Sequence, residues 1–175
     1  GMFSTSYGQF LLGWDSSNFD AILTQNISAL DYLRSKWLLF VVATTVLFIL
    51  TLPYGFFGWH ALLINFAAFC LNIGVNSFVI MYFATVNPKK IDLSKSNTFN
   101  WQGVSGTQFF MILPVLGGPL LVYLPFGALG YRELGLGVLA GIGLLGFAMS
   151  SFWLKRLAAR LVRQKYAIAA NFRQD

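Results

Sequence analysis

The sequence predicts an all-α, polytopic transmembrane helical bundle of about four spans, and three observations carry that prediction. Of 175 residues, 57% are hydrophobic, 17% aromatic and only 10% charged, where a soluble domain carries about a quarter charged residues. No Asp, Glu, Lys or Arg occurs from Trp37 to Pro88, from Ser96 to Tyr131, or from Leu134 to Leu154. The hydrocarbon core takes about 20 helical residues to cross, and these runs meet that length. The basic residues gather at the ends of the runs instead of covering a surface. Barrel strands would alternate apolar and polar positions, and that pattern is missing, so helices are the expected spanning form.

Residues 1–36 read as a cytoplasmic amphipathic segment. Phe10, Leu11, Leu12 and Trp14 make an apolar patch too short to span, and Phe19, Ile22 and Leu23 recur at the helical period. Ser28 is placed to cap a helix, with Asp31 at the third helical position where its charge favours the dipole. Residues 37–154 form the spanning domain. Span one is Trp37–Leu52, ended by Pro53; the turn from Pro53 to Trp59 is rich in the aromatics that settle at a membrane boundary. Span two runs from His60 to Ala84 and stops at Asn87-Pro88. A polar loop from Lys89 to Gly106 follows. Span three covers Thr107–Leu129 and contains Pro114, Pro119 and Pro125, which predict a kinked or broken helix. Arg132-Glu133 is expected as a very short loop, and span four is Leu134–Leu154. Residues 155–175 make a basic cytoplasmic tail with Leu157, Leu161, Ile168 and Phe172 on a helical stripe, either an extension of span four lying near anionic headgroups or a charged stop-transfer tail.

Charge sets the expected orientation. With four spans, Arg34, Lys36, Lys89, Lys90, Lys95, Lys155, Arg156, Arg160, Arg163, Lys165 and Arg173 share one side, eleven of the twelve basic residues. Only Arg132 lies opposite, beside Glu133. The positive-inside rule then puts both termini in the cytoplasm and the protein, multi-pass, in the inner membrane. The net charge of +6 is accounted for in this way and gives no nucleic-acid signal.

Several chemistries are excluded or disfavoured. Cys70 is the lone cysteine and His60 the lone histidine, so neither a disulfide framework nor a multi-histidine or cysteine metal site is available. His60 belongs at the opposite membrane face from Ser150 and Ser151, which argues against an intramembrane serine hydrolase. No catalytic residue, cofactor or metal is expected, and the chain has no phosphate-cradling loop with which to hydrolyse ATP.

Two sets of residues stand out in the spans. Asn65, Asn72 and Asn76 are spaced to share one face of span two. They serve either helix–helix hydrogen bonding or a substrate path. Gly137-x-x-x-Gly141 in span four is a close-packing pattern, for a neighbouring helix or a second copy.

Two stretches carry a resemblance. Trp14-Asp15-Ser16-Ser17-Asn18-Phe19-Asp20-Ala21-Ile22-Leu23-Thr24-Gln25-Asn26-Ile27-Ser28, leading to Tyr32 and Lys36, resembles the cytoplasmic segment before the third span of type-two ABC exporter permeases. Asn87-Pro88-Lys89-Lys90-Ile91-Asp92-Leu93-Ser94-Lys95, Phe99-Asn100-Trp101-Gln102-Gly103 and Lys165-Tyr166-Ala167-Ile168-Ala169-Ala170-Asn171-Phe172-Arg173 are similar to a narrower group of uncharacterised bacterial ABC-permease-like membrane proteins. The resemblance implies a permease subunit of an exporter, driven by a separate ATP-binding subunit and working as a homo- or hetero-oligomer. It makes Phe19, Asp20, Ile22, Leu23 and Thr24 candidates for the coupling helix that meets the ATPase. The leading pair of spans found in such permeases is missing, and Gly1-Met2 reads as an expression scar, so a C-terminal fragment is expected. The Arg132-Glu133 loop is also too short for the re-entrant helices many relatives carry. A non-transporting membrane scaffold or assembly subunit is the rival, since four spans and a basic tail suffice for it.

Overall fold

The computed structural model describes residues 28–86 and 113–173, with side chains through Gln164. Among the described residues every regular element is a helix. Helix α1 (Ala29–Thr51) begins at the expected cap. The Ser28 Oγ accepts from the Asp31 backbone N–H at 3.1 Å and donates to Asp31 Oδ2 at 2.6 Å. One orphan donor of the first turn is thereby satisfied. Pro53 ends the α-helix as expected, but the rod continues as a 3-10 turn over Leu52–Phe57, where a proline in the first turn sacrifices no bond. Gly58, at φ 140°, then reverses the chain.

The second rod is α2 (Trp59–Leu71), a π-helical turn (Asn72–Asn76) and α3 (Ser77–Val86). A further π turn (Leu113–Gly117) leads into α4 (Gly118–Ala128). The prolines expected to disturb this span are absorbed in different ways. Pro114 sits in the π turn, Pro119 in the first turn of α4, and Pro125 inside α4.

Helix α5 (Arg132–Ala148) starts earlier than hydropathy suggested. Arg132 and Glu133, expected to be the loop, form its first turn, and the reversal is made by Leu129–Tyr131. Gly130 supplies the left-handed conformation at φ 82°, and the Tyr131 N–H bonds back to the Phe126 carbonyl at 2.9 Å. Glu133 then lies where the helix dipole favours a carboxylate.

The largest departure is at Met149. Span four was expected to run unbroken to Leu154, but α5 ends at Ala148 and α6 (Ser150–Arg173) leaves it at 60°. Met149 keeps its bonds on both sides: its N–H reaches the Leu145 carbonyl at 3.0 Å, and its carbonyl accepts from Phe152 at 3.0 Å and Trp153 at 3.2 Å. The turn aside lets Leu154, Leu157, Ala158 and Leu161 bury against Leu33, Trp37 and Phe40 of α1 and Phe78, Ile80, Met81 and Ala84 around α3. That burial is the physical reason for the bend.

A second core joins Ala67, Cys70 and Leu71 of α2 to Leu136, Leu139 and Ala140 of α5. Helices α2 and α5 run parallel: His60 Nε2 lies 3.2 Å from Glu133 Oε1 near their starts, and Gly74 meets Gly146 farther along. The start of α1, the end of α3 and α6 meet at the other end of the bundle, so Arg34, Lys36, Lys155, Arg156, Arg160 and Arg163 gather there. The exposed aromatics Tyr54, Phe56, Phe57, Trp59 and Tyr131 mark the end where His60 and Glu133 pair.

Between these ends the outer surface is apolar. Val42, Val46 and Leu50 of α1, Leu120 and Leu121 of α4, and Leu144 and Leu145 of α5 all point outward. Exposed apolar surface on this scale marks a protein whose solvent is lipid or another protein. Ala29–Phe57 and Trp59–Thr85 are long and apolar enough to cross a membrane, and the bent pair Arg132–Ala148 and Ser150–Gln164 qualifies if taken as one span. Leu113–Ala128 is apolar but shorter.

Candidate functional site

At the basic end, the bend at Met149 carries α6 across the mouth of a cavity of about 1140 Å³. Its apolar wall includes Val75, Phe78, Val79, Phe83, Ile142 and Trp153. Its polar side is Arg156, Arg160 and Arg163, which recur at four and three residues and so share one face of α6. Arg160 is held firmly: its guanidinium lies 4.5 Å from the Tyr82 ring centroid, and Nη1 donates to the Tyr82 hydroxyl at 3.1 Å. Its Nε is buried and has no hydrogen-bond partner among the described residues. Arg156 lies over the Phe152 ring at 4.9 Å. Among the described residues no carboxylate forms an ion pair with any of the three.

The floor of the cavity is set by glycines. A Cβ on Gly74 would fall 1.7 Å from the Gly143 carbonyl oxygen, and one on Gly146 would fall 2.3 Å from the Gly74 carbonyl oxygen. The two backbones therefore touch, which only glycine permits. The π turn Asn72–Asn76 surrounds Gly74 and widens the second rod at this contact.

Of the residues singled out from sequence, Asn72 and Asn76 come together. Asn76 Nδ2 donates to Asn72 Oδ1 at 2.9 Å, with Asn76 buried and Asn72 half-buried. Asn65 is half-buried a turn and more away, and none of the three lines the cavity. Because the Asn72 side-chain oxygen accepts from the Asn76 amide, Asn72→Leu strands that Asn76 donor in the bundle. We expect it to lower the unfolding free energy in a detergent titration by about 1 kcal/mol, and the Asn72→Leu/Asn76→Leu double variant to lose less than the single one. A double variant that loses more would mean the asparagines have separate partners.

Gly137 and Gly141 do not make the close contact within the chain: nothing lies within 4 Å of a Cβ built on either. The glycines that touch a neighbouring helix are Gly74, Gly143 and Gly146, and Gly135 approaches Phe126 and Tyr123. The coupling candidates Phe19, Asp20, Ile22, Leu23 and Thr24 lie outside the described residues. His60 pairs with Glu133, at the opposite end of the bundle from Ser150 and Ser151. Among the described residues no cluster of His, Cys, Asp or Glu is arranged to hold a metal. The sequence places Arg156, Arg160 and Arg163 in a basic tail but does not mark them or Tyr82 as a site; their spacing of four and three residues is the signal that could have found the face.

Fold and site together define an all-helical protein with helices fit to cross a membrane and an arginine-lined cavity at one end of its bundle. The chain belongs to the family of unknown function DUF5687, which matches it over residues 1–175. No curated protein and no solved structure matches it.

Proposed function

We propose that this chain is a multi-pass inner-membrane permease subunit of an ATP-driven exporter, coupled to a separate ATPase subunit. In this reading the four passes are α1, the rod α2–α3, α4 and α5, and the arginine end faces the cytoplasm with both termini. The observation that carries the reading is the cavity between α3, α5 and α6, since a chamber at one end of a membrane bundle is what a carrier of cargo needs and a strut does not. The resemblance of the segment from Trp14 to Ser28 to a coupling segment supplies the ATPase. Asp15, Asp20 and Asp31 support the same assignment, because acidic flanks suit a groove on a protein better than an anionic leaflet.

One observation favours a non-transporting scaffold or assembly subunit instead. The buried polar side chains of the second rod, Asn76, Ser77 and Thr85, are bonded within that rod, to Asn72, the Ile73 carbonyl and the Tyr82 carbonyl. Among the described residues they make no polar track across the bundle. The deciding experiment is purification of the intact complex in mild detergent, comparing wild type with Phe19→Ala and Leu23→Glu. The permease reading expects an ATPase to co-purify, and expects both variants to lose it, or to uncouple hydrolysis from transport, with membrane insertion unchanged. A stable complex holding no ATPase would establish the scaffold.

A further inference from the structure

We propose that the cavity at the basic end is a binding site for a lipid with a phosphate headgroup, its acyl portion against α3 and α5 and its phosphate on Arg156, Arg160 and Arg163. This names the occupant of the cavity on which the permease reading rests; it needs no ATPase partner, so lost lipid binding and lost ATPase co-purification are separate outcomes. A volume of about 1140 Å³ suits part of a large amphiphile better than a free ion. Phe78, Val79, Phe83 and Trp153 give an acyl chain an apolar wall and offer a soluble anion nothing. The three arginines bring positive charge that no described carboxylate neutralises. A guanidinium fork matches phosphate oxygens in geometry as well as in charge.

General attraction of a basic helix to an anionic leaflet is the competing explanation, and Arg160 tells against it. An arginine serving the bulk headgroups extends outward to reach them. Arg160 is instead half-buried, fixed on the ring and hydroxyl of Tyr82, with its Nε buried and unpartnered at the cavity edge. Tyr82 thus holds one donor in place before any ligand arrives, which lowers the ordering cost of binding. Lys155, on the same helix but outside the lining, serves as an internal control.

The test is native mass spectrometry of the full chain in neutral detergent, titrated with phosphatidylglycerol, phosphatidylcholine or inorganic phosphate. Four proteins are compared: wild type, Arg160→Gln, Ala159→Trp and Lys155→Gln. Ala159 is exposed and lines the cavity, so the tryptophan fills space without removing charge or disturbing a core. We expect one saturable phosphatidylglycerol site, and affinity falling about tenfold in Arg160→Gln through loss of a charge-assisted contact. Ala159→Trp is expected to weaken binding at least as much, and Lys155→Gln to leave it unchanged. Equal losses in Arg160→Gln and Lys155→Gln with none in Ala159→Trp would replace the site by diffuse electrostatic attraction. Inorganic phosphate displacing the lipid at comparable concentration would make free phosphate the ligand and overturn the lipid assignment. Absence of any saturable binding would overturn it as well.

Discussion

Replacing Gly143 with leucine is expected to prevent the bundle from assembling, while the same change at Gly137 leaves it intact. A Cβ on Gly143 would lie 2.3 Å from the Cys70 carbonyl carbon, 2.5 Å from its oxygen and 2.6 Å from the Leu71 nitrogen. All three are backbone atoms inside a helix, so no side chain can rotate away to make room. Helices α2 and α5 have to separate, and separation opens the contact all along Gly74, Gly143 and Gly146. Overpacking in a core ordinarily costs about 1–3 kcal/mol. Here the clash is against backbone, so even Gly143→Ala is expected to reach the upper end of that range. At Gly137 a Cβ meets nothing within 4 Å. Unfolding midpoints in a detergent titration, with monodispersity on gel filtration, give the readout. A Gly137 variant as damaged as the Gly143 one would show that its face is occupied by a second copy.

Trp37→Ala is expected to cost about 3 kcal/mol or more, in the range found when a large buried aromatic is truncated. Trp37 is buried at the junction of three elements, with ring centroids 5.8 Å from Phe78 and 5.5 Å from Phe147. Among hydrocarbon-facing helices the loss is chiefly of dispersion contacts, because the void left behind has no partner atoms on one side. Trp37→Phe separates packing from polarity. The indole Nε1 is buried with no hydrogen-bond partner among the described residues, so phenylalanine removes an unsatisfied donor while keeping most of the ring. That variant is expected to unfold within about 1 kcal/mol of wild type. If it falls as far as the alanine variant, the indole nitrogen has a partner in the intact protein.

The sequence made some of this architecture readable and hid the rest for definable reasons. Absence of charge located α1 and the α2–α3 rod, because a lipid-facing surface forbids charge whatever the packing. Ser28 and Asp31 located the start of α1, since capping is a local bond made by residues three apart. The bend at Met149 has no proline, so nothing local announces it; its cause is the tertiary burial of Leu154, Leu157 and Leu161. The π turn at Asn72–Asn76 changes the winding without changing composition. For the glycines, spacing identified a face that permits close approach but not which face meets a helix. Gly137 and Gly141 fit the pattern better, yet the rotation of α5 about its axis presents Gly143 and Gly146 to Gly74. The cavity was invisible for the same reason: α3 and α6 build it from segments far apart in the chain.

The parallel pairing of α2 with α5 has a consequence for biogenesis. Cys70 and Gly143 touch although 143 − 70 = 73 residues separate them. On the ribosome, α2 therefore reaches the bilayer well before its main partner exists. Three polar side chains farther along the same rod suit that interval: Asn76 bonds to Asn72, Ser77 to the Ile73 carbonyl and Thr85 to the Tyr82 carbonyl. Helix α1 has still less need of company, since only 11% of its most apolar stretch is buried in the bundle. Asn76, Ser77 and Thr85 can thus sit in lipid with these bonds already made, before any other helix arrives. Close packing against α2 waits for the moment when α5 arrives with Gly143 and Gly146, so α5 governs when this contact closes.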